Sequence, residues 1–136
     1  MTKAQIDGRK FAEILLTEFP ELRDEVQTCQ DLVHLQMMEF VLFTERACKR
    51  GDWKTADRCL RVADKLLRVG DFEISNAIYV SYLECLPRKG EIHDRLRKMM
   101  TTDLRKGWDD ILTYLSKLSG TQSPNITRNR GARQGK

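Results

Sequence analysis

The sequence contains none of the short motifs that usually mark a catalytic or metal site. A glycine-rich phosphate loop, an H-E-x-x-H zinc motif and a G-x-S-x-G nucleophile motif are all missing. The four cysteines form no C-x-x-C pair, and the two histidines, His34 and His93, are far apart in the sequence. We therefore predict that the protein is not an enzyme and that it uses no cofactor and no metal ion.

The chain also lacks a long apolar run. The longest, residues 37–43, is interrupted by Glu39, whereas a membrane span needs about 20 predominantly apolar residues. The first residues, MTKAQIDGRKF, have neither the apolar segment nor the cleavage site of a secretory signal. We therefore expect a cytoplasmic protein that does not bind membranes, with cysteines that are free thiols packed as small hydrophobic side chains.

The formal net charge of +4 comes from one end of the chain. Residues 121–136 contain four basic residues and no acidic residue, so residues 1–120 are neutral overall. This neutral part is still polarised, because residues 1–47 carry a net charge of −4 and residues 48–120 one of +4. Such asymmetry can orient a charged partner as it approaches, although pairing between the two halves would give the same counts.

Apolar residues recur at three- and four-residue steps along most of the chain, which is typical of amphipathic helices. We predict an all-α, single-domain bundle of about six helices packed as helical hairpins, over residues 1–120, followed by a flexible basic tail, residues 121–136. The predicted helices cover residues 4–17, 31–49, 53–68, 72–86, 91–100 and 104–118, with a short additional helix over 21–29.

The segment 31–49 has the pattern of a central helix. Its expected core stripe consists of Leu32, Leu35, Met38, Leu42 and Phe43, and neighbouring apolar residues widen it. Asp31 is the predicted N-cap. An exposed apolar patch around Met37, Phe40 or Tyr79 would favour a dimer or a groove for a partner.

Two further helices each follow a Gly-Asp pair, and their patterns differ. Helix 53–68 separates cleanly into an apolar and a charged half, which predicts an outer helix. Its basic residues are the candidate partner-binding surface, namely Lys54, Arg58, Arg61 and Lys65. A simply solvated face is the alternative interpretation.

Helix 72–86 is apolar on nearly all sides, which predicts burial. Asn76 projects between Val80 and Leu83, so we expect it to be a buried polar hub. It would then need hydrogen-bond partners, because an unpaired buried amide costs about 1–3 kcal/mol.

The basic tail supplies candidate phosphate contacts in Arg128, Arg130 and Arg133. Such contacts would make binding to nucleic acid dependent on salt. The tail has no aromatic residue on which a base could stack, so we expect at most weak, non-specific binding there.

Two resemblances to known families are visible. The segment 51–63, beginning Gly-Asp-Trp-Lys-Thr-Ala, resembles the second helix of a tetratricopeptide-type repeat, but the next Gly-Asp-aromatic run follows 19 residues later instead of about 34. About residues 30–90 resemble a family of small all-helical bacterial proteins, through this Gly-Asp helix and the motif Asn76-Ala77-Ile78-Tyr79-Val80-Ser81-Tyr82-Leu83-Glu84. This second resemblance implies a helical fold and a bacterial source, with no established activity and no catalytic residue.

The leading functional hypothesis is a non-enzymatic bacterial module for protein–protein interaction, whose partner is another, charged protein. Its most specific form is an immunity protein that neutralises a toxin or effector. The alternative is a regulatory or nucleic-acid-associated protein that acts through the basic tail.

Overall fold

The computed structural model describes residues 5–122 of the chain, with side chains up to residue 118. Within this range the structure is helical, which confirms the predicted single-domain all-α fold class, and none of its helices has the length and apolar character needed to cross a membrane. In chain order the elements are α1 (Gly8–Glu18), a 3₁₀ turn (Pro20–Leu22), α2 (Arg23–Thr28), α3 (Val33–Lys49), α4 (Trp53–Val69), α5 (Phe72–Ala77), a π-helical turn (Ile78–Leu83), α6 (Glu91–Met99) and α7 (Thr102–Gln122).

Both Gly-Asp pairs begin helices, as predicted, through their aspartate side chains. Asp52 Oδ1 accepts a hydrogen bond from the Thr55 N–H at 3.2 Å, and this bond, with one from the Thr55 hydroxyl, lowers the pKa of Asp52. Asp71 Oδ1 accepts from the Ile74 N–H at 2.9 Å. Asp31 is not the predicted cap of α3, since its backbone has a φ of 67° and the helix begins two residues later.

Helix α3 is central, and it packs against α1, α2, α4, α5 and the π-helical turn. The predicted direction of its core stripe was wrong, because Leu32, Leu35 and Leu42 are 52%, 51% and 39% exposed. The residues that face the core are Val33, Gln36, Met37, Phe40, Val41, Phe43, Thr44, Ala47 and Cys48.

Two polar side chains take core positions on α3 because each finds a hydrogen-bond partner. Gln36 Nε2 donates to the Val26 carbonyl at 3.4 Å. Thr44 Oγ1 donates to the Phe40 carbonyl at 3.0 Å and lies 2.8 Å from the Tyr82 hydroxyl. Since the single hydroxyl proton of Thr44 is used on the carbonyl, Tyr82 is the donor in the second bond.

An aromatic cluster joins α3 to the chain on either side of it. The Phe40 ring centroid lies 4.7 Å from that of Tyr82 and 5.8 Å from that of Phe19, and the Phe43 centroid lies 5.2 Å from that of Phe19. Phe19, Phe40 and Tyr82 are fully buried. These tilted ring pairs pack Phe19, which follows α1, and Tyr82 of the π-helical turn against the same ring of α3, that of Phe40.

The single helix predicted over 72–86 is divided into α5 and the π-helical turn, and it is less buried than predicted. Phe72 is 84% exposed and Val80 39% exposed. A wider turn changes the angular position of every residue after it, so faces assigned at 100° per residue no longer apply. The prediction that Asn76 is a buried polar hub was also wrong, because its side chain is only partly buried.

The connection between α4 and α5 is tied to the start of the described chain. Ile6 donates its N–H to the Val69 carbonyl at 3.0 Å and accepts from the Asp71 N–H at 2.8 Å. A side chain at Gly70 would collide with the Leu66 carbonyl oxygen and with the side chain of Ile74. Glycine is therefore required here for close packing, which the Gly-Asp pattern alone did not reveal.

Helix α7 starts at Thr101, whose hydroxyl accepts from the Leu104 N–H at 3.2 Å and donates to Asp64 at 2.8 Å. Thr101 thus caps the first turn of α7 and also links α7 to α4. The helix continues to Gln122, two residues past the boundary predicted for the tail. Residues 123–136, with the candidate phosphate contacts Arg128, Arg130 and Arg133, lie outside the described residues.

Candidate functional site

A cleft of about 780 Å³ opens between the α3–α4 turn and helix α6. The α3–α4 side consists of Cys48, Lys49, Gly51 and Trp53, and the α6 side of Glu91, Ile92, Asp94, Arg95, Lys98 and Met99. Apolar surface from Trp53, Ile92 and Met99, each partly buried, lies between charged side chains. A concave site with an apolar interior and a few polar groups is typical of a ligand or partner site.

Trp53 and Arg95 form one wall of this cleft. The guanidinium carbon of Arg95 lies 4.5 Å from the centroid of the Trp53 ring, within the range of a cation–π contact. Arg95 is exposed, and it has no ion-pair partner among residues 5–118. Its hydrogen-bond donors are therefore available to a ligand while the ring holds the side chain in position.

The charges of α6 give the cleft an acidic and a basic end. Glu91 and Asp94 lie in the first turn of α6, and Arg97 and Lys98 lie in the last, where the helix dipole favours each sign. Arg97 forms an ion pair with Asp109, with Arg97 Nη2 2.7 Å from Asp109 Oδ2, and this carboxylate raises the pKa of Arg97. Lys98 is exposed and unpaired within the described side chains, so it can act together with Arg95.

The C-terminal end of α6 receives a further positive charge from α7. Arg105 donates from Nε to the Arg97 carbonyl at 3.1 Å and from Nη2 to the Met100 carbonyl at 3.2 Å. These bonds satisfy carbonyl groups that the helix itself leaves unpaired at its end. Arg105 therefore fixes the end of α6 that carries Lys98.

The only thiol that lines the cleft, among the described residues, is that of Cys48, and it is poorly suited to act as a nucleophile. Burial raises the pKa of Cys48 to about 11, with a smaller contribution from the negative charge of Glu45. A reactive cysteine needs an accessible thiolate, whereas this thiol is protonated at neutral pH. The arrangement favours binding over covalent chemistry.

Two of the four basic residues predicted on α4 form contacts within the protein. Arg58 donates to the Glu18 carbonyl and lies 5.0 Å above the Phe19 ring. Arg61 Nε donates to Asp57 Oδ2 at 2.8 Å, which raises the pKa of Arg61. Both of these cations are thus engaged within the protein.

Lys54 and Lys65, the other two predicted residues, are exposed and form no ion pair within the described side chains. Lys65 lines a separate shallow depression beside α1. Neither lysine lines the main cleft. The predicted surface on α4 is therefore distinct from the main cleft, and its role in binding a partner stays a prediction.

One family model matches most of the chain. It is described as Domain of unknown function (DUF7674), and it matches residues 12–116. The chain belongs to the DUF7674 family. No curated protein and no solved structure gives a significant match.

The DUF7674 match includes every residue of the cleft. It confirms the expected membership of a family without an established function, and the likeness to tetratricopeptide helices stays a prediction. Arg95 and Lys98 were not among the site residues predicted from the sequence. The partnership of Trp53 with Arg95 depends on the packing of two helices that are distant in the sequence, which no local pattern reveals.

Proposed function

We propose that this DUF7674 protein is a non-enzymatic binding module, and that the cleft between the α3–α4 turn and α6 takes an acidic segment of a partner protein. The observation that carries the proposal is the Trp53–Arg95 wall, where an arginine that forms no ion pair within residues 5–118 lies over an aromatic ring. Tryptophan and arginine are the residue types most enriched at the energetic centres of protein interfaces.

The polarity of the cleft defines the chemistry of the partner segment. Arg95 and Lys98 would bind one or two carboxylates, and the apolar surface of Ile92 and Met99 would take an aliphatic or aromatic side chain next to them. Glu91 and Asp94 at the other end would repel a uniformly negative chain. This arrangement favours a protein segment over a nucleic-acid backbone.

Calorimetric titration tests this proposal directly. The probe is a short peptide with two adjacent acidic residues next to one leucine and neutral residues elsewhere, and the comparison probe has lysine in place of each acidic residue. We expect the acidic peptide alone to bind, with an affinity that falls as salt is added. Oligothymidylate is the third probe, and binding of oligothymidylate but not of the acidic peptide would overturn the proposal.

Charge-reversal variants locate the binding site. We expect Arg95→Glu and Lys98→Glu each to lower the affinity for the acidic peptide roughly tenfold or more, which corresponds to about 1.4 kcal/mol of binding free energy. The matched control is Arg23→Glu on α2, an exposed arginine that does not line the cleft, which should retain the wild-type affinity. Equal losses in all three variants would mean that only net charge matters, and the cleft would not be the site.

We further propose, as the most specific form of this function, that the protein is a bacterial immunity protein acting in the cytoplasm against a toxin or effector. The polarised charge of the chain and the cleft both suit a charged protein partner. The test is a pull-down with the product of an adjacent gene, followed by rescue from toxicity. Arg95→Glu should lose both capture and rescue while Arg23→Glu keeps both, and an absence of rescue by the wild type would contradict the immunity role.

A further inference from the structure

The outer side of α3 carries apolar side chains that the protein itself does not cover. Leu35 is 51% exposed and Leu42 39% exposed, and Lys49 continues the same line one heptad further on. Residues one heptad apart lie nearly above one another on a helix. Together with Glu39 and Arg46, which flank this line, these residues form what we call the outer face of α3.

Glu39 and Arg46 are themselves one heptad apart on the same flank of this line. Within residues 5–118 neither side chain forms an ion pair or a hydrogen bond. They are separated by about 10 Å along the helix axis, too far for a good pair within one helix. The outer face therefore carries a negative charge towards its beginning and a positive charge towards its end, and neither has a partner among the described side chains.

We infer that the outer face of α3 is a self-association surface, on which a second copy of this chain packs its own α3 in the antiparallel direction. When the twofold axis passes beside Leu42, the Leu42 side chains of the two copies meet. Glu39 lies three residues before Leu42 and Arg46 four residues after it, which is about 4.5 Å and about 6 Å along the helix axis. Glu39 of each copy therefore lies opposite Arg46 of the other, with an offset of about 1.5 Å. A twofold interface requires such self-complementarity.

The ends of the two α3 helices also fit antiparallel packing of two copies of this chain. Leu35 of one copy lies opposite Lys49 of the other, whose methylene groups can cover an apolar side chain while the ammonium group stays in water. The antiparallel direction also places the opposite ends of the two helix dipoles side by side. Glu39, Leu42 and Arg46 do not line the cleft between the α3–α4 turn and α6, whereas Lys49 at the end of the outer face does. The inference is carried by the first three residues and does not depend on the proposed function.

Sedimentation equilibrium of the full chain over a range of concentrations tests the inference. The wild type should show a monomer–dimer equilibrium, and Leu42→Glu should be monomeric throughout the same range. The matched control is Phe72→Glu, which replaces a side chain that is 84% exposed on α5, and it should dimerise like the wild type. A wild type that stays monomeric, or equal losses in both variants, would overturn the inference.

Charge reversal defines the direction of packing. Glu39→Arg and Arg46→Glu should each raise the dimer dissociation constant by roughly tenfold, because every opposed pair then has like charges. The double variant should regain the wild-type constant, and an equimolar mixture of the two single variants should form heterodimers. In the mixing experiment, the mixture is compared with each single variant alone, so the wild type is not needed as a reference. Circular dichroism checks that each variant is folded. Failure of both the double variant and the mixture to associate would contradict antiparallel pairing.

Discussion

The guanidinium carbon of Arg95 lies 4.5 Å from the centroid of the Trp53 ring. This contact joins the first residue of α4 to the middle of α6, and it forms the wall of the cleft. Trp53 is partly buried and packs against the hydrophobic core. Its ring also supports Arg95, whose donors form no hydrogen bond within residues 5–118. The same contact thus contributes to the position of α6 and to the binding chemistry that we propose.

The strength of this contact can be measured with a double-mutant cycle. Trp53→Leu and Arg95→Ala, alone and together, should give a coupling free energy of about 0.5–1 kcal/mol in urea unfolding, as expected for an exposed cation–π pair. Trp53→Phe should retain part of the coupling, since its ring still presents a negative face. Additive effects of the two single changes would show that the residues are merely neighbours.

The hydrogen bond between Thr44 and Tyr82 should respond asymmetrically to the loss of either partner. Tyr82→Phe removes a donor and leaves Thr44 bonded to the Phe40 carbonyl, so we expect a loss of about 0.5–1.5 kcal/mol in unfolding free energy. Thr44→Val leaves the hydroxyl of fully buried Tyr82 without an acceptor and should cost about 1–3 kcal/mol. The double variant should cost less than the sum of the two. An additive result in urea denaturation would mean that the hydroxyl groups do not interact.

A hydrogen bond to Asp64 links the start of α7 to α4. This buried carboxylate accepts from Arg68 Nε at 3.0 Å and from the Thr101 hydroxyl at 2.8 Å. Asp64→Ala leaves both donors without that acceptor, and we expect a loss of about 1–3 kcal/mol in unfolding free energy. Thr101→Val should also be destabilising because it removes the cap of α7, whereas Thr101→Ser keeps the hydroxyl and should be close to neutral. Equal melting temperatures for Thr101→Val and Thr101→Ser would contradict this role.

Stability should fall at alkaline pH because of two buried thiols. Burial raises the pKa of Cys48 to about 11 and that of Cys59 to about 12, from the ordinary value of 9.0. Below about pH 9 both thiols are protonated in the folded and the unfolded chain, so their full contribution to stability is present. As the pH rises from there towards these raised values, the unfolded chain loses protons that the folded chain retains, and stability is lost.

Urea unfolding at about pH 8 and about pH 10 measures this loss. Cys59→Ala removes one of the two thiols that ionise only in the unfolded chain over this pH range, so its stability should depend less steeply on pH than that of the wild type. Comparing slopes rather than absolute stabilities separates the ionisation effect from the small cavity that the substitution creates. A variant with the same slope as the wild type would show that Cys59 does not cause the alkaline loss.

Local signals in the sequence predicted a large part of this fold. The separation of α4 into an apolar and a charged half and the caps at Asp52 and Asp71 concern residues within one turn of each other, so composition and spacing suffice. The core direction of α3 could not be predicted in that way, because apolar residues occur on almost every side of it. Gln36 and Thr44 lie on the buried side, where Val26 and Tyr82 from other elements supply hydrogen-bond partners.

Two further features depend on tertiary packing. The change from α5 to the π-helical turn moves the side chains after Ile78 to new directions, and this explains why Val80 is exposed where the regular helix predicted burial. The cleft unites Trp53 and Arg95 from separate helices, and no spacing within either helix indicates that they meet. Sequence reasoning therefore found the charged character of α4 and missed the residues of α6 that form the cleft.

The most direct test of the cleft uses the two tryptophan side chains as probes in one experiment. Trp53 lines the cleft, whereas Trp108 is fully buried in the core, so their indole N–H groups report on the site and on the core separately. In proton–nitrogen correlation spectra, titration with the acidic leucine-containing peptide should move the Trp53 indole signal and the amide signals of Arg95 and Lys98, and leave the Trp108 indole signal in place. Binding that leaves the Trp53 signal unchanged, or that moves both indole signals equally, would contradict the assignment of the cleft as the binding site.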